Sequence, residues 1–391
     1  MAEVSRMASN PSVSAVAGEV FDPVALAVAG VRGLSPYQPG KPVAALEREL
    51  GITQAIKLAS NENPLGPSPR AVEAGRMALS EAHVYPDGNG FELKARLAER
   101  HGVTPDQITL GNGSNEVLEL IARTWLAPGR AAVFSAHAFA VYPLVTQAVD
   151  AEARVAPALA ADHPEQPFGH DLGAMQARID GDVRVVFVAN PNNPTGTWLD
   201  GEVLEAFVAA MPTTTVVVVD EAYFEYVEEA GYPDTTRWLE RYPNLIVTRT
   251  FSKIQGLAGL RLGYAVSSPA IADLLNRVRQ PFNVNAIAQA AGLAALDDAE
   301  HVEKSVAINR EGLRQVSAAL REMGLRVIPS VANFVTFDTG RDPGPVYDAL
   351  LRDGVITRPV ENYGLPGHLR VTVSTREDND RFLASLQKAL A

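Results

Sequence analysis

The residues with the strongest chemical signal lie around Lys253, in the run Thr250-Phe251-Ser252-Lys253. This lysine follows an apolar run with the pattern of a strand, and small hydroxyls, glycines and Arg261 lie near it in the sequence. A lysine amine in this setting can condense with an aldehyde while a phosphate is bound beside it. Because most lysines are solvated surface charges, the interpretation depends on the other motifs of the chain.

A loop rich in asparagine and proline runs from Asn190 to Gly196, just after the apolar run Val183 to Val188. Loops that follow the strands of an α/β sheet are places where ligands bind. The amide of Asn193 can donate a hydrogen bond to a phenolate-like oxygen. The alternative is an ordinary Asn-Pro turn.

Asp220 ends a run of four valines, Val216 to Val219. A carboxylate at the buried end of a strand is costly unless it meets a cation, and a protonated pyridine nitrogen is such a cation. Tyr223 follows closely and can reach a hydroxyl oxygen on the same ring. The alternative is that Asp220 caps the next turn.

A glycine-containing turn, Gly111-Asn112-Gly113-Ser114-Asn115, precedes a segment with helical spacing. Free backbone N–H groups and the positive end of a helix dipole make such a turn a phosphate cradle. Arg261 adds a fork-shaped set of donors that suits phosphate. The alternatives are a plain serine N-cap for the turn and a structural salt bridge for Arg261.

Together these features describe one ligand, pyridoxal 5'-phosphate, which needs a lysine for its aldehyde and a carboxylate for its ring nitrogen. The combination is more specific than any single member. The predicted contacts are Ser114, Thr250 or Ser252 and Arg261 with the phosphate, Asp220 with the nitrogen, Asn193 and Tyr223 with the ring oxygen, and Lys253 with the aldehyde.

Strand and helix patterns alternate from about residue 70, and several strands are continuous apolar runs, as in sheets covered on both faces. This predicts an α/β fold with a large, doubly wound, mostly parallel sheet. After Phe282 the pattern changes to a smaller α+β unit. The predicted divisions are a mobile arm (1–33), a segment joining the small unit or the cleft (34–65), a large cofactor-binding domain (66–282) and a small domain (283–391).

The composition narrows the possible partners. The chain has 391 residues, 47% of them apolar, and a net charge of -12 without long blocks of one sign, which argues against nucleic-acid or membrane binding through bulk electrostatics. The chain has no cysteine, which excludes disulfides and zinc–thiolate sites. No metal site is predicted, and the composition fits a cytoplasmic enzyme.

From residue 34 to 390 the chain resembles the fold-type-I pyridoxal-phosphate aminotransferases, and within them the histidinol-phosphate aminotransferases. The Lys253 region and the Asn-Pro-Thr-Gly loop carry the resemblance to the superfamily. The subfamily resemblance depends on Ser35-Pro36-Tyr37-Gln38, Asn61-Glu62-Asn63-Pro64 and the two C-terminal arginines, Arg358 and Arg370.

The resemblance implies a role for each matching residue. Lys253 is the covalent attachment point of the cofactor and the proton shuttle, and the other implied contacts fall into four groups. These are Asp220, Asn193 and Tyr223 around the ring; Ser114, Asn115, Thr250, Ser252 and Arg261 at the phosphate; Phe139 stacked on the ring, where many relatives have tyrosine; and Tyr37, Asn333, Arg358 and Arg370 at the substrate. Tyr85 is expected to reach the phosphate in the neighbouring subunit of a homodimer.

The implied reaction is transamination of L-histidinol phosphate with 2-oxoglutarate, which gives imidazole acetol phosphate and L-glutamate in histidine biosynthesis. The alternatives are an aromatic or broad-specificity amino-acid aminotransferase and a threonine-phosphate decarboxylase, which share much of this scaffold. A cofactor-sensing regulator is a further alternative, but it needs a DNA-binding domain, and the segment before Leu34 is too short and not basic.

Overall fold

The structure is a computed structural model that describes residues 21–391. Its strands in chain order are β1 (Ile56–Lys57), β2 (Ile108–Asn112), β3 (Ala131–Ser135), β4 (Glu152–Ala156), β5 (Val183–Ala189), β6 (Val216–Asp220), β7 (Leu245–Thr250), β8 (Leu262–Ser267), β9 (Arg326–Ile328), β10 (Phe334–Asp338), β11 (Val355–Ile356), β12 (Arg358–Pro359) and β13 (His368–Thr372).

The helices connect these strands and cover the sheets. In chain order they are α1 (Pro23–Leu26), α2 (Ala29–Arg32), α3 (Val43–Leu50), α4 (Pro69–Leu79), α5 (Phe91–His101), α6 (Ser114–Trp125), α7 (Val141–Ala148), α8 (Leu172–Gln176), α9 (Gly201–Ala209), α10 (Pro269–Val278), α11 (Ala286–Leu296), α12 (Ala299–Glu322), α13 (Pro343–Arg352) and α14 (Arg376–Leu390). None of those in the described chain is long and apolar enough to cross a bilayer.

The large sheet has seven strands in the order β2-β8-β7-β6-β5-β3-β4. All neighbours are parallel except β8, which is antiparallel to both β7 and β2. The predicted doubly wound α/β sheet is therefore confirmed. Registers align Ala189 with Asp220 and Asp220 with Thr248, so the ends of three successive strands meet at one edge.

Apolar strand residues fill a core on each face of this sheet. One core joins the sheet to α5, α8, α9 and α11, and the other joins it to α6, α7 and α10. Ala288, Ala291 and Ala295 of α11 belong to the first core, and Gly75 of α4 lies against Ile287. Since α11 packs on the large sheet, we propose that the boundary between the two units follows α11, instead of lying at 282.

The smaller unit is a four-stranded antiparallel sheet in the order β12-β13-β10-β9. Its core includes Val316 of α12, Val346 of α13 and Phe382 of α14. The segment 34–65 supplies β1, which pairs in parallel with β11, and Leu58, which enters this core. This segment then continues into the cleft between the units.

The N-terminal part of the described chain contains two single-turn helices, α1 and α2. Gly30 is buried against the end of α7, where a Cβ would lie 2.0 Å from the carbonyl oxygen of Gln147. The predicted mobile arm falls partly here, and its residues 1–20 lie outside the described residues.

Candidate active site

A cleft lies where the edge of the large sheet faces the small unit. Its empty volume is about 890 Å³, with the open mouth included. Thirteen of the fifteen residues predicted for the site line it: Tyr37, Ser114, Asn115, Phe139, Asn193, Asp220, Tyr223, Thr250, Ser252, Lys253, Arg261, Arg358 and Arg370. Tyr85 and Asn333 do not.

Lys253 projects into this cleft from the loop after β7. Its Nζ donates a hydrogen bond to the carbonyl oxygen of Ser60 at 3.2 Å and lies 5.5 Å from the centre of the Tyr223 ring. Burial, and then the nearby charge of Arg370, lower the pKa of Lys253 to about 7. A large fraction of Lys253 is therefore a neutral amine near neutral pH, the form that acts as a nucleophile or base.

Asp220 lies at the end of β6 with only 5% of its surface exposed. Tyr142 donates to its Oδ2 at 2.9 Å, and Thr248 donates to its Oδ1 at 3.0 Å. Burial raises the pKa of Asp220, while these two hydrogen bonds oppose that rise. Within residues 21–391 Asp220 forms no ion pair, so the site suits a cationic group supplied by a ligand.

Asn193 and Tyr223 form the wall next to Asp220. The Arg370 guanidinium donates to Oδ1 of Asn193, which leaves the Asn193 amide nitrogen for a ligand oxygen. Burial raises the pKa of Tyr223, so its phenol stays protonated and can donate. Phe139 closes another side of the cleft and makes an edge contact with Tyr142, with 5.9 Å between ring centres.

The predicted phosphate cradle forms where α6 begins at Ser114, after Gly113 with φ 78°. Arg261 reaches across it, and its Nη1 donates to Ser252 Oγ at 3.4 Å. A Cβ on Gly113 would lie 2.4 Å from Nη2 of Arg261, and one on Gly263 would lie 2.2 Å from the backbone nitrogen of Ser114. The glycines thus keep a space in which N–H groups, hydroxyls and a guanidinium converge, as phosphate binding requires.

Two arginines of the small unit define the opposite end of the cleft. Arg358 and Arg370 are paired across β12 and β13, with 9% and 5% of their surfaces exposed. Arg358 donates to the carbonyl oxygen of Gln38 at 2.7 Å and lies 5.9 Å from the centre of the Tyr37 ring. Neither arginine has an acidic partner in the described part of the chain, so both guanidinium groups suit a bound anion.

Two of the predicted site residues, Asn333 and Tyr85, lie outside the cleft of this chain, and their predicted contacts stay predictions. Asn333 is 1% exposed, does not line the cleft, and uses its Nδ2 to donate to the carbonyl oxygen of Asn61 at 3.0 Å. In this arrangement the Asn333 amide supports the wall of the cleft. Tyr85 lies outside the cleft of its own chain, 79% exposed and stacked on Phe282 at 4.8 Å.

Several residues of the site have no distinct signal in the sequence. Tyr142 and Thr248 hold Asp220, the Ser60 carbonyl holds Lys253, and Tyr363 lines the cleft between the two arginines and Tyr37. Tyr142 lies in the first turn of α7, three residues after Phe139, and no motif of the sequence marks it.

A sequence model of the family described as aminotransferase class I and II matches residues 53–386. The chain belongs to this family. Histidinol-phosphate aminotransferase 2 of Pseudomonas aeruginosa is 59% identical over 372 residues, which cover 95% of this chain and 99% of that protein. Histidinol-phosphate aminotransferase 2 of Methylococcus capsulatus is 58% identical over 366 residues, which cover 93% and 98%.

Solved structures agree with this family membership. Histidinol-phosphate aminotransferase from Sinorhizobium meliloti, crystallised in complex with pyridoxal-5'-phosphate, superimposes with a TM-score of 0.83 at 29% identity, covering 97% of this aminotransferase and 99% of that chain. Aspartate aminotransferase from Thermus thermophilus, at 22% identity and a TM-score of 0.78, shares the fold.

The residues of this aminotransferase fit a pyridoxal phosphate. Asp220 is a buried carboxylate without a cation among the described residues, and the space beside Gly113 and Gly263 is bounded by phosphate-binding donors. Lys253 has the lowered pKa that an attacking amine needs. Within residues 21–391 no group of three or more His, Cys, Asp or Glu side chains is placed to hold a metal ion.

Proposed function

We propose that this aminotransferase moves the amino group of L-histidinol phosphate to 2-oxoglutarate, with pyridoxal 5'-phosphate as its cofactor. The products are imidazole acetol phosphate and L-glutamate, and the reaction belongs to histidine biosynthesis. Relatives named for this activity are 58% and 59% identical over nearly the whole chain. The structural observation that carries the proposal is the pair of buried arginines, Arg358 and Arg370, which lack acidic partners within the described chain.

We assign the cofactor contacts as follows: Asp220 to the ring nitrogen, Asn193 and Tyr223 to the ring oxygen, Lys253 to the aldehyde, Phe139 to the ring face, and Ser114, Asn115, Thr250, Ser252 and Arg261 to the phosphate. When bound, the protonated ring accepts the electron pair left behind when the substrate carbon loses its proton. Asp220 keeps the ring nitrogen protonated if the carboxylate itself is ionised, which Tyr142 and Thr248 favour.

Lys253 has the two properties that proton transfer requires. Its pKa of about 7 lets Nζ take a proton from the substrate carbon and release it again near neutral pH. The carbonyl oxygen of Ser60 accepts a hydrogen bond from Nζ and limits the volume that the amine samples. The same residue therefore serves both half-reactions. Because the first keto product leaves before 2-oxoglutarate binds, ping-pong kinetics are expected.

The same site has to hold a phosphate in one half-reaction and a carboxylate in the other. A guanidinium fork binds both anions. We assign Arg370 to both anions, because it lies beside Asn193 deep in the cleft. We assign Arg358 and Tyr37 to the phosphate of histidinol phosphate, because they lie nearer the mouth of the cleft.

We also propose that two copies of the chain form a homodimer with shared active sites. Tyr85 is 79% exposed, and its neighbour Phe282 is 45% exposed. Three apolar side chains of α4 are exposed as well, namely Val72, Met77 and Leu79. A second copy would bury these groups, and Tyr85 of the partner subunit would then reach the phosphate cradle.

The test is a set of half-reactions with the purified, cofactor-loaded enzyme. Histidinol phosphate, phenylalanine, tyrosine and phosphothreonine are each mixed with it, and the loss of visible cofactor absorbance is followed over time. Histidinol phosphate should give the largest second-order rate constant of the four. Faster reaction with phenylalanine or tyrosine would instead identify an aromatic aminotransferase, and release of carbon dioxide from phosphothreonine would identify a decarboxylase.

A further inference from the structure

Asn61 connects the two units at the wall of the cleft, although none of the roles proposed above uses it. Asn61 is 1% exposed, and its backbone φ of 55° lies in the left-handed region, which asparagine tolerates better than most residues. It contacts Tyr223 of the large unit and Thr372 of the small unit. The hydrogen bonds between these three residues fix the direction in which each hydroxyl proton is donated.

The Thr372 hydroxyl fixes the orientation of the Asn61 side chain. The backbone N–H of Asn61 donates to Thr372 Oγ1 at 2.9 Å, so this oxygen acts as an acceptor. The Thr372 hydroxyl proton is then free to be donated to Oδ1 of Asn61, which lies 3.3 Å away. Since the side-chain oxygen of Asn61 must face a donor, Thr372 fixes the orientation of the amide.

The orientation of the Asn61 amide in turn fixes the direction of the Tyr223 hydroxyl proton. With Oδ1 turned to Thr372, the Nδ2 group of Asn61 donates to the phenolic oxygen of Tyr223 at 2.9 Å. Tyr223 therefore accepts from Asn61, and its own proton cannot be donated back to the same amide nitrogen. The remaining direction for that proton is the cleft, which Tyr223 lines.

We propose that Thr372 and Asn61 are positioning residues that turn the Tyr223 hydroxyl proton into the cleft, toward the ring oxygen of the cofactor. The inference rests on the proposed function of Tyr223. Thr372 lies two residues after Arg370 in β13, so the strand that carries the anion-binding arginine also sets the direction of the Tyr223 donor. Without the Thr372 hydroxyl, the Asn61 amide can turn over and accept the Tyr223 proton itself.

The test uses the cofactor-loaded enzyme and measures the pH at which its visible absorbance changes. A hydrogen bond donated to an anionic ring oxygen favours the more negative form, so losing that bond raises the midpoint of the titration. Thr372→Val removes the hydroxyl at constant shape and lets the amide turn over, so it should raise the midpoint by about one pH unit, whereas Thr372→Ser, which keeps the hydroxyl, should titrate like the parent. Asn61→Gly keeps the left-handed backbone and removes the amide that fixes the phenolic oxygen, without offering the Tyr223 proton another acceptor, so its rise should have the same direction but be smaller.

Tyr223→Phe provides the internal reference. It should raise the midpoint at least as much as Thr372→Val does, and adding Thr372→Val to it should produce no further rise, because both changes remove the same donor. Thr109→Val is the matched control: Thr109 is a fully buried strand threonine whose hydroxyl has no hydrogen-bond partner in residues 21–391. Its midpoint should equal that of the parent enzyme.

The outcomes distinguish the positioning role of Thr372 and Asn61 from the proposed role of Tyr223. If Tyr223→Phe shifts the midpoint and both Thr372→Val and Asn61→Gly titrate like the parent, the positioning role is wrong and the role of Tyr223 stands. If Tyr223→Phe has no effect either, both are wrong. Additive shifts in the double variant would also overturn the proposal. Should Thr372→Val fail to fold, the smaller rise expected for Asn61→Gly remains the test.

Discussion

Tyr142 donates its hydroxyl proton to Oδ2 of Asp220 across 2.9 Å, from a helix on one face of the large sheet to the end of its central strand. The Tyr142 ring is fixed by stacking on Phe187, with 4.8 Å between ring centres and 5° between planes. Thr248, opposite Asp220 in the next strand, occupies the other carboxylate oxygen. Packing of three elements therefore keeps a buried carboxylate ready for a cationic partner.

Tyr142→Phe should weaken this arrangement while leaving the fold intact. Burial already raises the pKa of Asp220, and losing a donor raises it further, so the carboxylate becomes protonated earlier as the pH is lowered. We expect kcat to fall by about tenfold, with the acid limb of the pH profile moved to higher pH. Steady-state kinetics across the pH range measure both effects.

Tyr264→Phe is the matched control for this change. Tyr264 is also a buried tyrosine of the large unit, 4% exposed, and its hydroxyl bonds to His101 at 2.9 Å, away from the cleft. It should lose comparable stability and keep its pH profile. Equal kinetic losses in the two variants would argue against a specific role for Tyr142.

Asp220 could be predicted from the sequence, whereas its partner Tyr142 could not. Asp220 ends an apolar run and Asn193 lies in a loop after another run, so local pattern and the geometry of parallel sheets suffice to bring them together. Tyr142 meets Asp220 because α7 packs against β3 and β4 while the Tyr142 ring stacks on Phe187 of β5. No local pattern encodes which side chain of a helix reaches a strand end.

The surroundings of Asn333 and the packing of α11 have the same physical origin. Asn333 was predicted at the substrate but pairs with the Asn61 backbone, because partners of a buried amide depend on tertiary packing that spacing does not reveal. Helix α11 is rich in alanine and apolar all round, so its sequence does not say which unit it packs against.

Attachment of the cofactor to the apoenzyme should depend on pH through Lys253. Its pKa is lowered to about 7, so the neutral, nucleophilic amine accumulates as the pH rises through that value. The rate constant for attaching pyridoxal phosphate should rise between about pH 6 and pH 8 and then level off. Stopped-flow absorbance measures the rate, and borohydride reduction followed by peptide mapping locates the bond.

Lys253→Ala should show no attached cofactor and no transamination. Arg370→Leu should shift the pH dependence of cofactor attachment. The Arg370 charge helps to lower the pKa of Lys253, so its removal should move the rise in attachment rate to higher pH. A rate that keeps rising toward pH 10, as for a solvated lysine of ordinary pKa near 10.5, would contradict the buried-amine assignment.

Gly263→Ala should damage the phosphate cradle directly. The new Cβ would lie 2.2 Å from the Ser114 nitrogen and 2.6 Å from the Gly113 carbonyl carbon, so the start of α6 would have to move. We expect the Kd for pyridoxal phosphate to rise by at least about tenfold, as an N–H donor leaves the phosphate. Gly259→Ala, whose Cβ would meet nothing within 4 Å, should bind the cofactor normally.

Arg358→Ala should separate the two half-reactions. Arg358 lies beside Tyr37 near the mouth of the cleft, and we expect its loss to raise KM for histidinol phosphate by roughly tenfold or more, with a much smaller effect on 2-oxoglutarate. Arg370→Ala should impair both substrates. Arg326→Ala, which removes an arginine of the same sheet with 84% side-chain exposure, should change neither. Equal losses for both substrates in Arg358→Ala would remove the reason to prefer a phosphate-bearing donor.

The shared active site can be tested with hybrid dimers of two inactive or weakened variants, Lys253→Ala and Tyr85→Ala. If Tyr85 of the partner subunit completes each site, the hybrid contains one site with both residues intact and one with neither. Mixed and refolded chains should then regain cofactor saturation and turnover at limiting pyridoxal phosphate. If the exposed Tyr85 instead acts within its own chain, every site of the hybrid keeps a defect. The absence of any recovery, with dimers confirmed by light scattering, would therefore place Tyr85 outside the neighbouring site.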